Sequence, residues 1–135
     1  TIGADEPFHV SKFGLKGYSK AFWLKGNNIT FRGRGILDAS ACTVHSRHMI
    51  GVRGENIRLE GVILRDAPLW TVQVDCSNNV VIDNIKLLGR RANSDGIDIC
   101  SSKNVLIKNC FIRTLDDLIV LKTPRGMKDM KHIIV

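Results

Sequence analysis

Asn79-Val80-Val81-Ile82-Asp83-Asn84-Ile85-Lys86-Leu87 and Asn104-Val105-Leu106-Ile107-Lys108-Asn109-Cys110-Phe111-Ile112 carry one pattern, 25 residues apart. Each opens on Asn, places apolar side chains at alternate positions, meets a second Asn five positions on, and resumes an apolar run beyond it. The opening recurs as Asn28-Ile29-Thr30-Phe31, Asn56-Ile57-Arg58-Leu59 and His132-Ile133-Ile134-Val135, so the repeat length varies between 23 and 28 residues. Gly33 and Gly61 stand where Asn84 and Asn109 stand. Gly and Asn tolerate positive φ, which suits a sharp bend. After the bend, Val62/Leu64, Ile85/Leu87 and Cys110/Ile112 keep the same phase, with Arg34/Ile36 the imperfect member.

Alternation of period two is a strand signal, and self-similarity at this spacing is the signature of a solenoid whose coils bury one continuous core. A third run precedes each Asn strand: Trp70–Val74, Asp95–Ile99 and Asp117–Leu121. Val74 to Asn79 and Ile99 to Asn104 are the same interval, so successive coils superpose and their strands pair in parallel. Parallel crossovers are right-handed as a rule. The expected fold is all-β, a right-handed parallel β-helix with about three short strands per coil, and residues 1–135 are expected to form one domain. A leucine-rich repeat would need Leu at fixed short spacings and a helical half-repeat, and neither is present.

Two of the strand mouths carry acids. Aligning Ile97 with Ile119 and Ile99 with Leu121 puts Asp95 level with Asp117 and leaves Asp116 one place before them. Neighbouring strands lie about 4.7–4.9 Å apart, so three carboxyls converge. Acids that crowded split one another's pKa values, as proton transfer to and from a substrate requires.

Composition narrows the partners. Twenty Lys and Arg against 13 Asp and Glu give a formal charge of +7, scattered rather than clustered. Solvated outer faces of the solenoid account for that, and attraction to an acidic polysaccharide is compatible with it. No helix-turn-helix, zinc-finger or aromatic-stacking motif points to nucleic acid, and no apolar run approaches the roughly 18 residues of a membrane helix. Cys42, Cys76, Cys100 and Cys110 have no CxxC or Cys/His spacing, so no metal is expected, and the favoured reading is buried thiol.

In order along the chain, Asn28 to Asp38, Ala67-Pro68-Leu69-Trp70-Thr71, Asn93-Ser94-Asp95-Gly96-Ile97-Asp98-Ile99 and Asp116-Asp117 with Lys122 resemble the motifs of polygalacturonase-like enzymes, glycoside hydrolase family 28. The resemblance covers about residues 27–122. It implies inverting hydrolysis of a glycosidic bond in a pectin-type polysaccharide, with no cofactor, in a secreted or periplasmic protein. Carried over by position, Asp116 is the general acid, Asp95 and Asp117 hold and activate water, Asn93 supports the cleft, and Lys122 lies near its floor as a substrate-binding residue. Leu115 stands where the family has Gly, and Ser94 where it commonly has Thr. The family's Gly-His-Gly and Arg-x-Lys motifs are expected beyond Val135, which falls inside a repeat. The chain is therefore expected to be an incomplete portion of a longer β-helix, inactive in isolation.

The remaining candidates read as support. Asp98 alternates with Ile97 and Ile99 and is expected to face outward. Trp70 either lines the cleft or packs beside Pro68. His45 and His48 lie two coils from the acids and are expected to be structural or solvated. Arg90 and Arg91 form the loop into Asn93, as an ordinary turn or as contacts to an acidic sugar. Three rival functions stay open: hydrolysis of a neutral glycan, non-catalytic carbohydrate binding, and calcium-dependent polysaccharide cleavage by elimination with the acids as metal ligands.

Overall fold

Three inward ladders of aliphatic side chains run through the described residues, one for each strand line of the repeat. Ile29, Ile57, Val80, Val105 and Ile133 stack in register. Ile50, Val72, Ile97 and Ile119 form the second, and Leu37, Leu64, Leu87 and Ile112 the third. All three are continuous because every paired strand is parallel and each coil places the same kind of side chain over its neighbour. The result is the right-handed parallel β-helix that the sequence implies. It is seen in a computed structural model of the chain, which describes residues 19–43, 47–123 and 129–135.

The strands are β1 (Ser19–Arg32), β2 (Ile36–Asp38), β3 (Arg47–Glu60), β4 (Ile63–Arg65), β5 (Val72–Asp75), β6 (Asn78–Asp83), β7 (Lys86–Leu88), β8 (Ile97–Cys100), β9 (Lys103–Lys108), β10 (Phe111–Arg113), β11 (Ile119–Lys122) and β12 (Lys131–Ile134). One sheet runs β11-β8-β5-β3-β6-β9-β12 with β1 on β3, and the other runs β10-β7-β4-β2. The described residues hold no helix.

Expected inward positions are borne out, with a gradient along the axis. Ile57, Leu59, Val80, Ile82, Val105 and Ile107 are buried, whereas Ile29 and Phe31, in the first coil, are partly buried against the core. In a solenoid each coil packs on its neighbours, and among the described residues β1 pairs with β3 alone.

The bends are more elaborate than expected. Gly61, Asn84 and Asn109 take left-handed backbone as anticipated, but Gly33 does not, and the opening residues Asn28, Asn56, Asn79, Asn104 and His132 do so as well. These openers form a polar ladder at the corner. Asn56 Nδ2 donates to Asn28 Oδ1 at 3.1 Å, Asn79 Nδ2 to Asn56 Oδ1 at 3.1 Å, and Asn104 Nδ2 to Asn78 Oδ1 at 2.9 Å, while His132 Nδ1 lies 3.0 Å from Asn104 Oδ1. Asn suits both demands, since its short amide bonds locally and tolerates that backbone.

Two further expectations need correction. The acid-bearing strands start two residues later than the apolar pattern indicated, at Val72, Ile97 and Ile119, which leaves Trp70, Asp95 and Asp117 at the mouths rather than in the strands. In the first two coils the third run and the Asn strand also fuse into the 14-residue β1 and β3. Gly26 and Gly54, at φ 132° and 144°, carry the chain through the corner there. In later coils Ser77 and Ser102 occupy that place, with Ser102 Oγ accepting from Ser77 N at 3.0 Å and Ser77 Oγ from Gly54 N at 3.2 Å.

Candidate active site

The parallel register carries the mouth of β8 onto the mouth of β11. Gly96 N donates to Asp117 O at 2.8 Å and Ile97 N to Leu118 O at 3.0 Å, continuing the pairing of Ile97 with Ile119. One coil earlier, Thr71 N donates to Asp95 O at 2.7 Å. Continued through these bonds, the register makes Lys20, His48, Trp70, Asp95 and Asp117 one column at the strand mouths. Beside it runs a column of Trp23, Gly51, Gln73, Asp98 and Val120.

Asp116 and Asp117 are exposed on the turn before β11. Asp116 Oδ1 accepts from Asp117 N at 2.9 Å and Thr114 Oγ1 donates to Asp116 O at 3.0 Å, which fixes the turn's shape. Leu115 beside them projects into solvent, 71% exposed, so it contributes no packing to the turn. Asn93 is exposed on the loop before β8, with left-handed backbone.

Asp95 is different, since it is buried and bonded. Its Oδ2 accepts from Lys122 Nζ at 3.1 Å, and the same ammonium donates to Asp98 Oδ1 at 2.5 Å. Lys122 Nζ also stands 3.6 Å from the centre of the Trp70 ring, a cation–π contact. Lys122 thus bridges the two buried carboxylates, Asp95 and Asp98.

Asp98 faces outward as expected, but not into solvent. It points away from the aliphatic core, as alternation requires, yet it is 0% exposed. Lys122, which comes 24 residues later in the chain, bonds to it there. Burial pushes its carboxyl up, and Lys122 pulls it back through hydrogen bond and charge. Asp95 raises it further, and the balance is about 7. Burial lowers the Lys122 ammonium, but its bonds to Asp98 and Asp95 outweigh that and leave it raised. Of the contacts weighed for Trp70, the structure shows a different pair: one face meets Lys122, and its ring centre lies 4.5 Å from that of His48. His48 is buried and structural, and burial with the nearby Lys20 and Lys122 charges lowers it to about 3. His45 falls outside the described residues.

The two arginines are structural. Arg91 Nη1 donates to Cys42 O at 2.5 Å, and Arg91 Nη2 to Ser40 O at 2.8 Å and Ala39 O at 3.2 Å, pinning the Asn93 loop to a turn two coils away. Arg90 Nε pairs with Asp66 Oδ2 at 3.2 Å. Nothing in a basic dipeptide before a loop announced those carbonyl partners, which lie about 50 residues away. Cys42 and Cys100 are buried as favoured, Cys110 is partly so, and Cys76 is exposed.

The profile of glycosyl hydrolases family 28 matches residues 22–133. Among curated relatives, a probable polygalacturonase of Arabidopsis thaliana is 34% identical over 70 residues, covering 50% of this chain and 15% of the relative. A probable exopolygalacturonase X of Neosartorya fischeri is 26% identical over 133 residues, covering 84% and 30%. The chain therefore spans less than a third of the length of these relatives. Among solved structures, a presumed glycosyl hydrolase from Parabacteroides merdae superposes with a TM-score of 0.66 at 18% identity, over 80% of this chain and 55% of that one. The family 28 exopolygalacturonase of Yersinia enterocolitica gives 0.59 at 24%, over 66% and 17%. At those identities the structural likeness speaks for the β-helix.

Proposed function

The chain belongs to glycosyl hydrolases family 28, and on that premise we propose that the protein carrying it hydrolyses a glycosidic bond of a pectin-type polysaccharide by inverting acid–base catalysis with Asp95, Asp116 and Asp117. The observation that supports this reading most is the backbone bond from Gly96 to Asp117, which levels Asp95 with the Asp116–Asp117 pair across neighbouring coils. Asp116, exposed on its turn, donates a proton to the leaving oxygen as the bond to the anomeric carbon breaks. Asp95 and Asp117 take the proton of a water whose oxygen adds to that carbon from the opposite face. Asn93, on the loop above, supports the cleft, and Lys122 lies beneath Asp95. No cofactor takes part. A polymeric cell-wall substrate places the protein outside the cytoplasm, secreted or periplasmic. The 135-residue chain alone is inactive on this reading, because the family's histidine and Arg-x-Lys elements are absent from it.

The test is product analysis with the full-length protein on polygalacturonate and on neutral glycans, in chelator. New reducing ends from polygalacturonate, with the anomeric configuration inverted in the first-formed product by proton NMR, are expected. Reducing ends from neutral glycans alone would move the substrate class. An unsaturated, calcium-dependent product would make the protein a lyase, and binding without cleavage would make the acids structural.

A further inference from the structure

Two buried carboxylates, Asp95 and Asp98, share one cation. Lys122 Nζ donates to Asp95 Oδ2 at 3.1 Å and to Asp98 Oδ1 at 2.5 Å, and it rests on the Trp70 face with the ring centre at 3.6 Å. The lysine's own position also requires an anchor, because Lys122 follows the exposed Leu121 at the end of β11. Asp98 supplies it. Its Oδ1 takes the ammonium, while its Oδ2 is buried with no hydrogen-bond partner among the described residues. A carboxylate that is fully desolvated and half satisfied costs stability, so its retention calls for a compensating role.

We propose that Asp98 and Lys122 are a positioning pair for Asp95: the ammonium, seated on Trp70 and anchored by Asp98, holds the Asp95 carboxyl turned toward the water it is to activate. The proposal rests on the reading of Asp95 as a catalytic carboxylate. It assigns Lys122 an action through Asp95 rather than on the substrate, and it adds Asp98 and Trp70 to the machinery. The division of charge matters. When Asp98 is ionised it competes with Asp95 for the lysine, and when Asp98 is protonated the whole positive charge serves Asp95. The other titratable groups around the pair are Cys100 on β8, whose thiol burial raises to about 11, Asp75 on β5, His48 on β3 and Lys20 on β1. Across from Asp98 on β5, its register partner Gln73 is neutral.

The experiment compares pH profiles of kcat/KM for the full-length protein and for Asp98→Asn, Lys122→Met and Lys122→Arg. Lys122→Met takes away the charge beside Asp95 and moves the acid limb to higher pH by about 1–3 units, the range for loss of a close opposite charge. Asp98→Asn keeps an acceptor for the ammonium but removes the competing charge, so its acid limb moves to lower pH. Lys122→Arg keeps the charge and leaves the limb in place. KM stays within about threefold in all three. Shifts of opposite sign in the two charge-removing variants support the proposal, since a merely structural pair would lower activity without moving either limb. Unmoved limbs in variants with parental circular dichroism overturn it. So does a KM rise confined to Lys122→Met with the limb unmoved, which would make the lysine a substrate ligand. If Lys122→Met does not fold, Asp98→Asn against Lys122→Arg decides by the same signs. Failure of the functional reading is read separately. If Asp95→Asn retains parental hydrolysis, Asp95 is not catalytic. The pair is then judged by carbon NMR of the Asp98 carboxyl, whose titration must rise in Lys122→Met; an unchanged titration overturns the pair as well.

Discussion

Gly96 donates its amide to the carbonyl of Asp117 at 2.8 Å, and this bond holds the two acid-bearing mouths in register. The approach leaves no room for a side chain: a Cβ on Gly96 would lie 2.3 Å from Leu118 O and 2.7 Å from Ile112 Cγ2. Gly96→Ala should therefore pry β11 from β8 at the acids. We expect a stability loss of about 1–3 kcal/mol in chemical denaturation, the usual scale of overpacking, with hydrolysis falling further than unfolding explains. Gly35→Ala is the control, since nothing lies within 4 Å of its added carbon. It should be neutral within about 0.5 kcal/mol.

The acids can be separated by leaving group. Proton donation is worth about 10²–10⁴ in rate, so Asp116→Asn should lower kcat by that range with KM nearly unchanged. A nitrophenyl glycoside, whose leaving group needs no proton, should restore Asp116→Asn but not Asp95→Asn or Asp117→Asn. Because the three act as one unit, a double variant should lose much less than the product of the single losses. Near-parental rates in all three single variants would make the cluster structural.

The core and the corner have different energetics. Ile82 is fully buried between Leu59 and Ile107, so Ile82→Ala should cost about 2–5 kcal/mol by thermal or urea unfolding. Asn79 sits at φ 55° and bonds to Asn56. Asn79→Ala should cost about 1–2 kcal/mol from left-handed backbone alone. Asn79→Gly relieves that strain and loses the amide bond, so it should be the milder of the two. Equal losses would show that the ladder bond, not the backbone, dominates.

Two buried groups tilt the stability curve in opposite directions. Asp98 has its folded pKa raised to about 7, so the folded state binds more protons than the unfolded one between about pH 4 and 7. Its contribution is fully present below the unfolded value and is lost as pH rises through 7. His48 is lowered to about 3, so its contribution is present above the unfolded value near 6.5 and is lost as pH falls toward 3. Relative to the parent, Asp98→Asn should make denaturant midpoints rise more steeply from pH 4 to 7. His48→Gln should make them rise less steeply. Parallel curves for parent and Asp98→Asn would show that Asp98 is not buried in solution.

Residue order alone determined the β-helix, the inward ladders and the level of Asp95 with Asp117. Each follows from counting alternate positions between turn-forming residues, and parallel pairing turns equal counts into superposed atoms. The fused strands through Gly26 and Gly54 were harder to read, because glycine marks a bend equally well whether the strand stops or continues. What alternation cannot reveal is whether an outward side chain meets water. Asp98 faces out in phase with its strand, yet it is out of solvent, bonded to Lys122, which comes 24 residues later and rests on the Trp70 ring. The reach of Arg91 to the carbonyls of Ala39, Ser40 and Cys42 has the same origin. Period and phase are local properties of the chain and can be read from it. The partner of a long charged side chain depends on which coils the solenoid brings within its reach, and only the folded stack decides that.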